Sequence, residues 1–149
     1  FLGNVEASQI QDISQAMRRS ADTVLPFQVR LSGIGVFPNE RRPRVLWAGL
    51  QCDLDRLGKL RDGLESSMAD LGLTREGGQF NPHLTLGRVR DGVSEANRRE
   101  IGSVVKGASL ATSEPWLVET VHLMRSHLSP AGATYSILTA SALRNGREE

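Results

Sequence analysis

The stretch Asn81-Pro82-His83-Leu84-Thr85-Leu86-Gly87-Arg88-Val89-Arg90 sets an imidazole and a hydroxyl two residues apart and follows them with two guanidiniums. In an extended strand, side chains alternate between faces. His83, Thr85 and Gly87 are therefore expected on one side, and Leu84, Leu86 and Arg88 on the other, with the two leucines turned to a core. Two residues of strand span about 6.5–7 Å, a distance that brackets one phosphate group. A hydroxyl there donates to a phosphate oxygen while the imidazole reaches a bridging oxygen or a water. Imidazole, with an unperturbed pKa of ~6.5, gives or takes a proton near neutrality. Gly87 leaves its face bare for a close ligand, and Pro82 suits a strand start or an edge. Metal-free displacement at phosphorus needs a base on one side and an acid on the other. One histidine fills one role at a time, so a catalytic His83 requires a second acid/base group facing it. The same residues also fit a plain strand, with His83 half-exposed and Thr85 an ordinary β-former.

The surroundings are basic. Arg41, Arg42 and Arg44 lie in Glu40-Arg41-Arg42-Pro43-Arg44, and Arg88 and Arg90 close the His83 segment. The planar guanidinium fork donates two hydrogen bonds to a phosphate; a solvated turn and strand end is the alternative for the same residues. Phe80, three residues before His83, is either a platform for a base or part of the core. His122 and His127 are read as structural or exposed.

These groups have to be positioned by a mixed scaffold. A helix is expected over 7–22 from Ile10, Ile13, Met17 and Ala21, with Ser8 as its cap. The segment from Leu25 to Pro38 alternates, with Phe27, Val29 and Leu31 on one face, and Gly33 and Gly35 mark a bulge or a close backbone approach. Residues 44–52 form a short apolar strand of the kind buried on both faces. Leu54, Leu57, Leu60, Leu64, Met68 and Leu71 step by three or four, with Asp53 at the N-cap and Gly72 at C′. Residues 74–81 read as loop and 82–89 as strand. Ser94 caps a third helix whose apolar side is Ile101, Val104 and Val105. Two strands, 116–126 and 133–143, are joined by a turn over 127–132 built on Pro130 and Gly132, and the tail 144–149 is polar. The order α-β-β-α-β-α-β-β indicates an α+β fold.

Bulk properties narrow the function. The 149 residues suffice for one domain with its own core. The net charge is +1, so any anion site is a local patch. A lone cysteine, Cys52, makes no internal disulfide, and the three histidines lack ligand spacing, so neither structural zinc nor another metal site is expected. No acidic metal cluster or glycine-rich phosphate loop announces a cofactor. No apolar run approaches a membrane span and the N-terminus is no signal peptide, so a cytoplasmic protein without a membrane is expected. No obligate protein partner is evident.

The segments Phe80–Arg90, Arg41–Leu50 and Val121–Leu138 together give the chain a resemblance to the bacterial and archaeal RNA 2′,3′-cyclic phosphodiesterases. These are also known as 2′-5′ RNA ligases, within the two-histidine phosphoesterase superfamily. The resemblance runs over almost the whole chain. It implies a two-lobed, pseudo-symmetric α+β fold, antiparallel sheets lining a central cleft with helices outside, and one His-x-Thr-x motif per lobe. His83-Leu84-Thr85-Leu86 matches the second motif. By resemblance His83 is the acid/base catalyst, Thr85 a phosphate ligand and Arg88 an arginine near the phosphate. Simple alternation puts Arg88 on the wrong face for this, so a twist or bulge at Gly87 is required. The implied activity is opening of RNA 2′,3′-cyclic phosphate ends to 2′-phosphates, with reversible 2′-5′ joining as a side reaction and no metal. The implied partners are such RNA ends or small cyclic nucleotides. In relatives the first motif directly precedes a Phe-Leu-Gly turn, and this chain opens at Phe1-Leu2-Gly3. The expectation is therefore a single two-lobed domain over 1–149, incomplete at its N-terminus, with weak or no turnover on its own. A non-catalytic module that binds RNA or nucleotide ends, and an inactive remnant, are the alternatives.

Overall fold

The structure, a computed structural model, describes residues 1–74, 80–130 and 132–144. The element order is a 3₁₀ turn at Ala7–Gln9, α1 (Ile10–Ala21), β1 (Phe27–Phe37), β2 (Val45–Cys52), α2 (Leu54–Asp70), β3 (His83–Arg88), α3 (Glu95–Gly107), β4 (Trp116–Val118), β5 (Thr120–Ser129) and β6 (Gly132–Ala142). The strands form a four-stranded sheet of order β3-β2-β1-β4, in which β1–β2 and β2–β3 are antiparallel, and a two-stranded antiparallel pair β5-β6. This is the expected α+β fold, but the single strand expected over 116–126 divides at Glu119 into β4, which joins the four-stranded sheet, and β5, which pairs with β6. The loop expected over 74–81 and the polar tail lie largely outside the described residues. Among the described residues no helix is long and apolar enough to cross a membrane.

The chain divides into two compact units. The first comprises residues 1–27, 53–78 and 117–149. Its core is Ile13 and Ala16 of α1 with Met68 of α2, and Leu2, Val5, Leu71, Leu73 and Leu123 pack around them. α2 starts and stops as its sequence dictates. The Asp53 carboxylate accepts from the Arg56 backbone N–H at 3.0 Å. At the other end the Leu73 and Gly72 N–H groups donate to the Met68 and Ala69 carbonyls while Gly72 takes φ +79°, a Schellman closure that glycine accommodates without strain. α1 differs from expectation at its start. Its first turn is 3₁₀, and the Glu6 backbone N–H, not Ser8, is engaged, donating to Gln9 Oε1 at 3.2 Å. Hydroxyl pairs stitch the layers: Ser20 to Ser67 and Ser14 to Thr139, each at 3.0 Å. The hairpin β5-β6 is longer than its sequence suggests. Pairing continues to Ser129 opposite Gly132, so His127, Leu128 and Ser129 are strand and not turn.

The second unit comprises residues 28–52 and 79–116. Gly33 takes φ +77° at the point where the β1–β2 register shifts between Leu31 and Ile34, the bulge that this glycine pair announces. β2 is only half-buried apart from Ala48, so its apolar run does not signal cover on both faces. The Ser94 hydroxyl caps α3, accepting from Asn97 N–H at 3.2 Å. Val105 is buried, but Val104 is exposed and Gly102 takes its place on the inner side. A Cβ on Gly102 would overlap the Glu40 carbonyl. Alanine is ordinarily favoured over glycine within a helix by roughly 0.5–1 kcal/mol. Here the sign reverses. Gly102→Ala is expected to destabilise by about 1–3 kcal/mol through overpacking against backbone, while Gly58→Ala in α2, where a Cβ meets open space, is expected to stabilise. Urea melts of the two variants against the parent check the pair.

Candidate active site

β3 is an edge strand, and its register on β2 determines what it presents. Gly49 pairs with His83, Ala48 with Leu84 and Trp47 with Thr85; then Leu46 pairs with Gly87 and Val45 with Arg88. One step on β2 is matched by two on β3, so Leu86 is the extra residue of a bulge. Directly paired residues share a face. Gly49, Trp47 and Val45 alternate on β2, so His83, Thr85 and Arg88 lie on one face, and Leu84 and Gly87 on the other. The bulge required for Arg88 is present, one residue earlier than Gly87, and it removes Gly87 from the His83 face.

His83, Thr85 and Arg88 are all exposed. Leu84 and Leu86 are about half-exposed, at 50% and 52%, and do not sit in a core. Alternation tells which side a residue takes but not whether anything covers it, and Leu86 is lifted out of the pairing altogether.

The His83 ring is held from two directions. Its Nδ1 lies 2.7 Å from the Asn81 carbonyl oxygen. A carbonyl only accepts, so Nδ1 carries hydrogen, and Nε2 is left as the nitrogen that takes or gives a proton. The Phe37 ring meets the imidazole at 80° with centroids 5.0 Å apart, and Trp47 lies against Phe37 at 5.2 Å. A Cβ on Gly35, the residue paired with Trp47, would overlap the indole. The close approach signalled by Gly35 is thus that of Trp47, the rear support of the row. Phe37 and Trp47 were invisible as site residues because their role arises from pairing across strands, and only the glycine pointed to it; Asn81 acts locally, through its backbone carbonyl, which its residue type does not announce.

The other candidates divide. Phe80 is exposed at 40% and is not core. Arg41 and Arg42 lie on the turn after β1, where the Asn39 side chain accepts both of their backbone N–H groups at 3.1 Å. The Arg42 guanidinium pairs with Glu95 at 3.2 Å, and both arginines line a hollow with Asn39 and Arg99. Arg88, Arg42 and Arg44 share a second hollow, so Arg42 approaches the His83 row only by way of Arg88. His122 and His127 are exposed on β5 in the first unit, with His127 Nε2 3.2 Å from the Ser136 hydroxyl. Among the described residues no group of three or more His, Cys, Asp or Glu is placed to hold a metal ion.

A strand that aims His, Thr and Arg from one face, set beside an arginine-rich turn, is the pattern to compare with known proteins. A sequence model of the 2′-5′ RNA ligase superfamily matches residues 2–130. The chain belongs to the 2′-5′ RNA ligase superfamily. Among curated members, the RNA 2′,3′-cyclic phosphodiesterase of Thermus thermophilus is 34% identical over 155 aligned positions, covering all of this chain and 73% of the relative. That of Methanothermobacter thermautotrophicus is 30% identical over 136, covering 91% of this chain and 71% of the relative. Among solved structures, the Thermus thermophilus protein TT0787 superposes with a TM-score of 0.70 at 29% identity, covering 99% of this chain and 76% of that one. LigT of E. coli, solved with 3′-AMP, shares the fold with a TM-score of 0.70 at 22% identity, over 97% and 74% of the two chains. The α+β architecture is thus shared with these solved structures.

Proposed function

We propose that this domain opens RNA 2′,3′-cyclic phosphate ends to 2′-phosphates by metal-independent acid/base catalysis at His83, with reversible 2′-5′ joining, in which a 5′-hydroxyl attacks in place of water, as a side reaction. The observation that carries the reading is the single face shared by His83, Thr85 and Arg88 across the Leu86 bulge. The relatives' names point the same way. Water attacks phosphorus and gives a proton to a base; the bond from phosphorus to O3′ breaks, and O3′ takes a proton from an acid. The product is a 2′-phosphate with a free 3′-hydroxyl. His83 Nε2 fills one of these roles. The Thr85 hydroxyl donates to a phosphate oxygen, and the Arg88 guanidinium balances the charge that builds there. Phe80 is assigned to the terminal base, and Arg41 and Arg42 to more distant phosphates. The substrates are RNA ends or small 2′,3′-cyclic nucleotides. A cytoplasmic setting is part of the proposal.

The second proton-transfer group favours another reading for the 149-residue chain by itself. The sequence holds no second His-x-Thr, since His122 is followed by Leu123-Met124 and His127 by Leu128-Ser129. Slow or absent turnover is therefore expected, with end-binding retained. The test is incubation of the chain with a 2′,3′-cyclic nucleotide, followed by ³¹P NMR. Slow appearance of 2′-phosphate supports the enzyme. Equal affinity for cyclic and linear ends with no product supports the binding module. Formation of 3′-phosphate would overturn the assigned direction of opening.

A further inference from the structure

Arg88 belongs to two arrangements at once. It ends the His83-Thr85 face, and it also lines a shallow trough of about 750 Å³ together with Arg42, Arg44, Arg90 and Arg98. Against these five guanidiniums the trough wall sets two carboxylates, Asp91 and Glu95. Glu95 is already engaged, by Arg42 at 3.2 Å and by Arg99 at 3.5 Å. The chain as a whole carries a net charge of only +1, so this concentration is local.

The five arginines are not alike. Arg98 is structural: its guanidinium donates to the carbonyls of Val93, Pro43 and Arg90 at 3.1–3.2 Å, tying α3 to both strand ends. The Val89 N–H donates to the Arg44 carbonyl at 2.9 Å and continues the β2–β3 ladder into the trough floor. The backbone is thus fixed, while Arg44, Arg88 and Arg90 make no side-chain hydrogen bond or ion pair among the described residues. Three unpaired arginines thus line a hollow with a braced floor, and a polyanion is the ligand whose charge suits them.

We infer that this trough binds the phosphodiester backbone of a single-stranded RNA, on the 5′ side of the terminal phosphate. The inference rests on the proposed role of the His83 face. A 2′,3′-cyclic phosphate occupies the 3′ end of an RNA, so the remaining chain runs away from His83 toward its own 5′ end. Arg88 is where the two arrangements join, and successive phosphates then meet Arg44 and Arg90. A cyclic mononucleotide leaves the trough empty. The protein is therefore built for the end of a polynucleotide, with small cyclic nucleotides as poorer ligands.

The test compares the parent chain with the Arg44→Gln/Arg90→Gln double variant. Binding of a fluorescent oligoribonucleotide with a 3′-hydroxyl end is followed by anisotropy over a range of salt. Each lost phosphate contact is expected to reduce the slope of log K against log salt by about 0.7, so the double variant loses about 1.4. Its oligonucleotide affinity at low salt falls about tenfold per arginine, the size of a charge-assisted contact. The ratio of oligonucleotide to cyclic-mononucleotide affinity falls toward one. An unchanged salt slope would overturn the trough, as would equal weakening of both ligands or equally tight binding of an acidic peptide of matched charge. The readout needs no turnover. The two readings fail separately: formation of 3′-phosphate in place of 2′-phosphate defeats the proposed hydrolysis alone, and arginine-independent binding defeats the trough alone.

Discussion

Replacing His83 by alanine is expected to lower the rate of 2′,3′-cyclic phosphate opening by about 10²–10⁴-fold, the usual contribution of a positioned acid/base group. Single-turnover conversion with protein in excess measures it, because that format reads slow chemistry without demanding many cycles. Binding of a 2′-phosphate nucleotide should change only a few-fold, since Thr85 and Arg88 remain on the face. Thermal stability should hardly move, because the ring is exposed and its hydrogen bond to the Asn81 carbonyl is local. The division between binding and chemistry carries the assignment. A variant that loses affinity but turns over bound substrate at the parent rate would make His83 a ligand for the phosphate and not its acid or base. Phe37 supplies a graded comparison. It meets the imidazole edge-on at 5.0 Å, so Phe37→Leu removes a support without removing the proton carrier, and its loss should be a fraction of that of His83→Ala.

The sequence and the structure agree where local rules decide. The α2 caps at Asp53 and Gly72 follow from short-range chemistry: a carboxylate reaches its own helix N-terminus, and a glycine accepts positive φ. Of the bulge or close backbone approach expected at Gly33 and Gly35, the bulge is present at Gly33, while Gly35 meets the Trp47 side chain. Agreement fails where the answer depends on a partner far along the chain. Nothing in His83-Leu84-Thr85-Leu86-Gly87-Arg88 fixes which residue is the extra one; that is settled by pairing with Val45, Leu46 and Trp47. Phe37 and Trp47 reach the site by the same cross-strand route. The leucines of β3 show a different limit, since periodicity predicts a face and leaves open whether a second layer covers it. The family, by contrast, was legible from a few short segments, because the chemistry of a phosphate site restricts residue types more tightly than packing does.

The bulge itself yields the second large effect, and it separates two deletions that look alike in the sequence. Deleting Leu84 removes a residue from the regular part of the strand, where one position out of register turns every side chain to the opposite face. His83 and Thr85 then cannot share a face, and turnover should fall as far as in His83→Ala, by about 10²–10⁴-fold. Deleting Leu86 removes the one residue that has no partner on β2. Thr85 stays opposite Trp47, Gly87 opposite Leu46 and Arg88 opposite Val45, so His83, Thr85 and Arg88 remain together in a straight strand. What changes is the local twist that the bulge imparts, which re-aims Arg88 without inverting it. The expected cost is about that of one misdirected charge-assisted contact, roughly tenfold in affinity for the phosphate. Single-turnover rates and 2′-phosphate nucleotide affinities for both deletions check this, with circular dichroism confirming that each chain folds. If deleting Leu86 proved as damaging as deleting Leu84, the register that joins Arg88 to the His83 face would be wrong. The arginine would then have to reach the phosphate by some other path, or not reach it at all.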